Sequence, residues 1–181
     1  MSASDLAQQV WDLGNGLGGT LKLPSGDIEF FEDTILQSPN RQVTIVGEGL
    51  TTKFWTHAPL RIGYNVRLWS VNIISDHSDA GLIVGVPNVA TGRTPLLLHD
   101  INLHRNPADG TGGIGLLFLG EGILADGAVA TNSFDNIYIQ GFETAIKFKA
   151  REQNGHEGFV NGNMFQNLYL TRYRYGLVFK E

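Results

Sequence analysis

The sequence predicts an all-β chain whose short strands stack in parallel as a β-helix, with one short helix in front. Three observations carry this. The first is a repeat. Asn132-Ser133-Phe134-Asp135-Asn136-Ile137-Tyr138-Ile139 is echoed by Asn163-Met164-Phe165-Gln166-Asn167-Leu168-Tyr169-Leu170. Ala145-Ile146-Lys147-Phe148 is likewise echoed by Gly176-Leu177-Val178-Phe179, and both pairs are 31 positions apart. A fixed period of this size is the mark of a repeat architecture. The second is alternation: within each piece apolar and polar residues alternate with period two, rich in β-branched and aromatic types, which is strand behaviour. The third is a column of small polar residues, Ser70, Asp100, Asn136 and Asn167, each just before a central aliphatic residue. Such residues tolerate left-handed backbone angles and suit a tight bend between two strands.

The repeat extends toward the N-terminus. Leu98 to Leu103 and Leu68 to Ile73 fit the first half-unit, and Gly115 to Phe118 and Gly81 to Val84 fit the second. First-half spacings are then 30, 36 and 31 residues, so turns vary while strands persist. Such strands leave no room for crossover helices and stack at roughly 4.8 Å per rung. Stacked bend residues are expected to hydrogen-bond in a ladder along the axis and to serve the fold alone.

Residues 1–17 read as a capping helix and linker, and residues 18–181 as a single β-helix domain. Ser4 is the expected N-cap, Asp5 favours the first turn, and Leu6, Val10 and Leu13 line one helical face ending at Gly14. A strand, Gly18 to Gly26 with a Pro-x-Gly turn, follows. Gln42 to Leu50 then leads into Thr52-Lys53-Phe54-Trp55.

Composition narrows the function classes. The chain has 181 residues, 42% hydrophobic, 23 glycines and a net charge of −5, ordinary for a globular domain of turn-rich β structure. The acidic balance opposes sequence-independent nucleic-acid binding. No apolar run reaches membrane-spanning length, and the N-terminus lacks a signal-peptide plan. Zero cysteines exclude disulfides and thiolate metal sites. No zinc spacing, calcium loop or Ser-His-Asp order stands out, so neither a metal nor a cofactor is expected. Gly14-x-Gly16-x-x-Gly19 matches a dinucleotide fingerprint, but it follows a helix and precedes a strand, the reverse of the phosphate-binding order.

Two turn faces and one stripe are the candidate functional surfaces. Ser75-Asp76-His77-Ser78-Asp79 is the densest polar cluster; the next repeats place His104, Arg105, Asn106 and Asp109, then Gln140 and Glu143, then Arg172, Tyr173 and Arg174 on the same side. Asp76, Asp79, His104 and Arg105 are the catalytic candidates, as a carboxylate pair for glycoside hydrolysis or a base for elimination. His77, Glu143, Arg172 and Arg174, with the stacked Tyr138 and Tyr169, are candidate carbohydrate contacts. The longer second turns, Val86 to Thr94, Glu121 to Asn132 and Lys149 to Gly162, form a second recognition face. The outward column Ile83, Leu117 and Val178, interrupted by Lys147, reads as a subunit interface.

Helix, then GGTLKLPSG, then VTIVGEGLTTKFW, with the later GFVNGNMFQNLYL and GLVF pieces, resembles the pectate-lyase-like right-handed β-helix proteins, many of them bacteriophage tailspikes and related virion proteins. The resemblance covers nearly the whole chain. It implies a right-handed β-helix in a phage virion, side-by-side homotrimers, and attachment to a surface glycan or to other virion proteins. It also leaves open a polysaccharide lyase or hydrolase, and a cellular structural or adhesive β-helix. Binding is favoured over catalysis because no persuasive acid/base pair is present. The chain stops in mid-rung at Phe179-Lys180-Glu181, so a partner is expected to cover that edge, unless the chain is a fragment.

Overall fold

A computed structural model describes residues 1–86, 97–108, 110–121, 127–130, 132–152 and 154–180. It is mostly β, with one helix among the described residues, α1 (Ala3–Asn15), and every strand pairing is parallel. No described helix is long and apolar enough to cross a membrane. Helix α1 begins at Ser2, not Ser4. The Ser2 hydroxyl accepts from the Asp5 amide, and the Asp5 carboxylate accepts from the Ser2 amide. This reciprocal capping satisfies two of the donors a helix start leaves open. Leu6 and Val10 are buried against the strands, as their spacing predicts.

The strands follow in order: β1 (Gly19–Lys22), β2 (Gly26–Phe30), β3 (Thr34–Leu36), β4 (Val43–Thr56), β5 (Leu60–Ile62), β6 (Val66–Ser75), β7 (Ala80–Val84), β8 (Leu97–Arg105), β9 (Ile114–Glu121), β10 (Gly127–Ala130), β11 (Ser133–Gln140), β12 (Thr144–Arg151), β13 (Gly158–Asn161), β14 (Met164–Thr171) and β15 (Tyr175–Lys180). They form a first sheet in the order β1-β4-β6-β8-β11-β14, with β2 also on β4, and a second in the order β15-β12-β9-β7-β5-β3. A small pair, β10-β13, makes a third. The chain therefore crosses repeatedly from one large sheet to the other, and each strand lies beside its equivalent one repeat away.

The register is the one the repeat implies. Val71, Ile101, Ile137 and Leu168 fall in one column, and Leu82, Leu116, Ile146 and Leu177 in another. Inward columns stack aromatic rings from the core out to the last described strand. Phe118 and Phe148 centroids are 4.9 Å apart and nearly parallel, Phe148 and Phe179 4.7 Å, and Phe134 and Phe165 4.9 Å. Phe142, also buried, needs small residues opposite it. A Cβ on Gly81 would come within 3.0 Å of its ring, and one on Gly115 within 3.2 Å.

The bend column lies on the first sheet. Ser70, Asp100 and Asn136 have φ of 54° and Asn167 of 49°. The ladder forms only in part. Asn136 Nδ2 donates to Asp100 Oδ1, but Asn167 Nδ2 donates to Asp135 Oδ1 at 2.9 Å, one residue short of the expected partner. In β4 the bend is replaced by a small loop. Val46 pairs with Trp69 and Lys53 with Asn72, so residues 47–52 stand where later repeats have two. Gly47 is required there, since its Cβ would lie 2.6 Å from Ser70 O. Thr52 fixes the loop by accepting from the Glu48 amide at 2.8 Å and donating to Pro24 O at 3.0 Å.

Candidate functional site: a groove along the bend

The turn face gathers three of the four catalytic candidates, Asp76, Asp79 and Arg105, about His77, while His104 stands apart. The His57 imidazole and Asp76 are 2.7 Å apart (Nδ1 to Oδ2), and His57 also stacks on Phe31 at 4.7 Å. Asp79 accepts through its backbone carbonyl from the Ile114 amide. His104 and Arg105 belong to β8, not to the turn. His104 packs against the Tyr138 ring at 5.7 Å and hydrogen-bonds Gln140, whereas Arg105 donates to the His77 carbonyl. Asp76 and Arg105 are thus engaged by His57 and by the His77 carbonyl, and His104 by Gln140. Asp109 lies outside the described residues, as do the second-turn stretches 87–96 and 122–126.

His77 is half-buried. Its Nδ1 accepts from the Asp79 amide at 3.2 Å, and its Nε2 is buried with no partner among the described residues. Burial lowers the pKa of His77, with Asp79 and Asp76 partly opposing. Burial also lowers that of His104, partly opposed by the Gln140 hydrogen bond. Glu143 and Arg174 form an exposed ion pair at 3.5 Å, with the Arg174 guanidinium 5.2 Å above the Tyr175 ring. An exposed pair of this kind contributes little to stability. Arg172 is exposed, at φ 51°.

The interface stripe is only partly available. Ile83, Leu117, Lys147 and Val178 share one column, and Arg61 continues it on the other side. Ile83, however, is 4% exposed, clustered with Ala80 and Leu119 apart from the main core, with Leu117 against them. The outward direction read from alternation stands, but Ile83 is not a surface residue.

A groove runs instead along the bend column. A cavity of about 480 Å³ is lined by Gly47 to Leu50, by the bend residues Ser70, Asp100 and Asn136, and by Asn102 and Tyr138 of the neighbouring column. Its volume falls in the range of small-ligand sites. The loop of β4 closes one end, with Glu48 held by the Ser25 hydroxyl. Asn72, Asn102, Tyr138 and Tyr169 form one column beside the bend. The Tyr138 hydroxyl is 3.1 Å from both Gln140 Oε1 and Thr171 Oγ1, which orients its ring, and Tyr169 is 54% exposed. Asn72 is 8% exposed, and its Oδ1 is buried without a partner among the described residues.

On the other side of the bend the register aligns Trp69, His99, Asp135 and Gln166. His99 is set between two carboxylates, its Nε2 3.3 Å from Asp100 Oδ2 and its Nδ1 3.1 Å from Asp135 Oδ2. Trp69 meets the His99 ring edge-on at 6.2 Å. Asp100 and Asp135 also accept the amides of Asn136 and Asn167, so imidazole, carboxylates and amides form one connected network. Among the described residues no group of three or more His, Asp or Glu side chains is disposed to hold a metal ion. The sequence reading assigned the bend column to the fold alone and passed over His99 and Asp135. Their signal was positional: each directly precedes a bend residue, where alternation points a side chain outward.

No protein-family model matches the chain, and no curated protein or solved structure matches it.

Proposed function

We propose that this chain is a right-handed parallel β-helix module of a phage virion, a tailspike- or fibre-like attachment element that holds a surface glycan along the bend groove. The parallel pairing of every strand with its equivalent one repeat away supports the solenoid, because sheets of this kind stack one rung on the next. The observation that carries the binding reading is the side of the groove. Asn102 and Tyr138, one repeat apart, combine an amide and an aromatic face beside the carboxylate of Asp100. A sugar ring needs an apolar platform for its C–H face and donors and acceptors for its hydroxyls, and this surface presents both. A rigid scaffold spaced at roughly 4.8 Å repeats them along an extended chain.

The same reading includes a homotrimer joined side by side near Leu117 and Val178, and an adjoining virion protein over the apolar side chains of the last described strands, where Phe179 is 74% exposed. Hydrolysis or elimination has less support, since Asp76 is engaged by His57, Arg105 by the His77 carbonyl, and His104 stands apart from both.

Calorimetric titration with host-surface polysaccharides, comparing the wild type with Tyr138→Ala, tests the binding reading. Loss of a stacking platform is expected to weaken binding about tenfold, near the upper end of an aromatic contact. Equal binding by both proteins would remove the groove from the proposal. A monomer by light scattering, or an assembly unchanged by Leu117→Glu, would remove the trimer.

A further inference from the structure

From the charge of the groove, and resting on the glycan reading above, we infer that its ligand is an uncharged, hydroxyl-rich sugar chain and that polyuronates are excluded. Among the described residues, the side chains lining the cavity include two carboxylates, Glu48 and Asp100, and no lysine or arginine. A third carboxylate, Asp135, stands one repeat along, on the far side of His99. The nearest basic residue in the flanking column, Lys53, lies 4.0 Å from Asp27. A polyuronate would carry a carboxylate on every sugar into this row.

Like charges at contact distance repel even in water, and repulsion grows as the site is shielded from solvent. A neutral sugar meets the same groups differently. Its hydroxyls donate to the carboxylates of Glu48 and Asp100, and its oxygens accept from the amides of Asn102 and Asn136. The consequence reaches the chemistry as well. Eliminative cleavage removes the proton beside a uronate carboxyl, so every lyase substrate bears the charge this groove opposes.

The test is a binding panel on the intact chain in mildly alkaline, low-salt buffer. It comprises a neutral glucan, an N-acetylhexosamine oligosaccharide, polygalacturonate and alginate, each with and without calcium. Asp100→Asn and Glu48→Gln are measured beside the wild type, with circular dichroism to confirm folding. Asparagine suits the bend at 100, since Asn136 and Asn167 hold the same left-handed conformation there. The wild type is expected to bind a neutral chain at least about tenfold more tightly than either polyuronate. Each substitution should raise polyuronate binding about fivefold, the factor equivalent to roughly 1 kcal/mol between unit charges about 4 Å apart in water. Preferential binding of a polyuronate, with or without calcium, would overturn the inference while leaving the glycan reading intact. Binding of no sugar would overturn both.

Discussion

Asn136→Ala probes the bend at its most informative point. Asn136 has φ 54°, and its amide donates to the Asp100 carboxylate of the preceding repeat. An ordinary L-residue held in the left-handed region costs about 1–2 kcal/mol, a penalty asparagine largely escapes. The lost hydrogen bond to a charged group costs about 1.5–3 kcal/mol where shielded; Asn136 is exposed, so about 1 kcal/mol is the appropriate figure. The alanine variant should therefore lose about 2–3 kcal/mol. Asn136→Gly restores the backbone freedom while still losing the bond, and adds an unfolded-chain entropy of about 0.5 kcal/mol. It should lose about 1.5 kcal/mol, less than alanine. Urea unfolding followed by tryptophan fluorescence measures both, and Trp69, beside the bend in the register, is a local reporter. If alanine proved no worse than glycine, backbone conformation would not be what the bend column selects. If both matched the wild type within about 0.5 kcal/mol, the bond to Asp100 would carry nothing either.

Three further outcomes follow from the packing and the titratable groups. Phe118 is fully buried and touches the rings of Phe134, Phe148 and Phe165, so Phe118→Ala should cost about 3–5 kcal/mol by thermal unfolding; a loss under about 1 kcal/mol would mean the cavity collapses freely. Gly115→Ala would set a Cβ 2.6 Å from both Ala145 O and Ile139 Cγ2, and should cost about 1–3 kcal/mol; an unchanged melting temperature would show that this column tolerates a methyl group. His77 and His104 have pKa values lowered by burial, so the unfolded chain takes up protons near their ordinary 6.5 while the folded chain resists. Stability should be insensitive to these groups above that value, fall as the pH drops below it, and level once the folded imidazoles charge. A His77→Asn, His104→Gln double variant should flatten that slope, and an equally steep slope would assign it to other groups.

The strands and their register were legible because they obey period two and repeat at nearly constant spacing. Ile137 and Leu168 pair as their equal positions in the repeat require. The left-handed bend was legible for the same reason: four small polar residues in one column have a single backbone explanation. What escaped was whatever does not repeat. The outward position before the bend holds Trp69, His99, Asp135 and Gln166, four different chemistries, so no motif connects them until register makes them neighbours. The β4 loop was hidden because Gly47 to Thr52 sits between two runs that read as strands. Ser2 lost to Ser4 as the helix start although its spacing to Asp5 is that of a capping box. Alternation gave Ile83 its direction but not its burial, in a small cluster with Ala80 and Leu119.

The turn between the two large sheets takes four residues after β6 (76–79), eight after β8 (106–113) and three after β11 (141–143). Yet Ala80, Ile114 and Thr144 arrive in one column. Lengthening such a connection from three residues to eight costs only about 1 kcal/mol in closure entropy. Strand pairing absorbs the difference without a shift. The turns are thus places where evolution, or an engineer, can splice in new peptide while every neighbouring strand keeps its partner. Epitope tags or recognition loops inserted after Ser75 or Gln140 should be tolerated where the same insertion within β8 would slide the sheet.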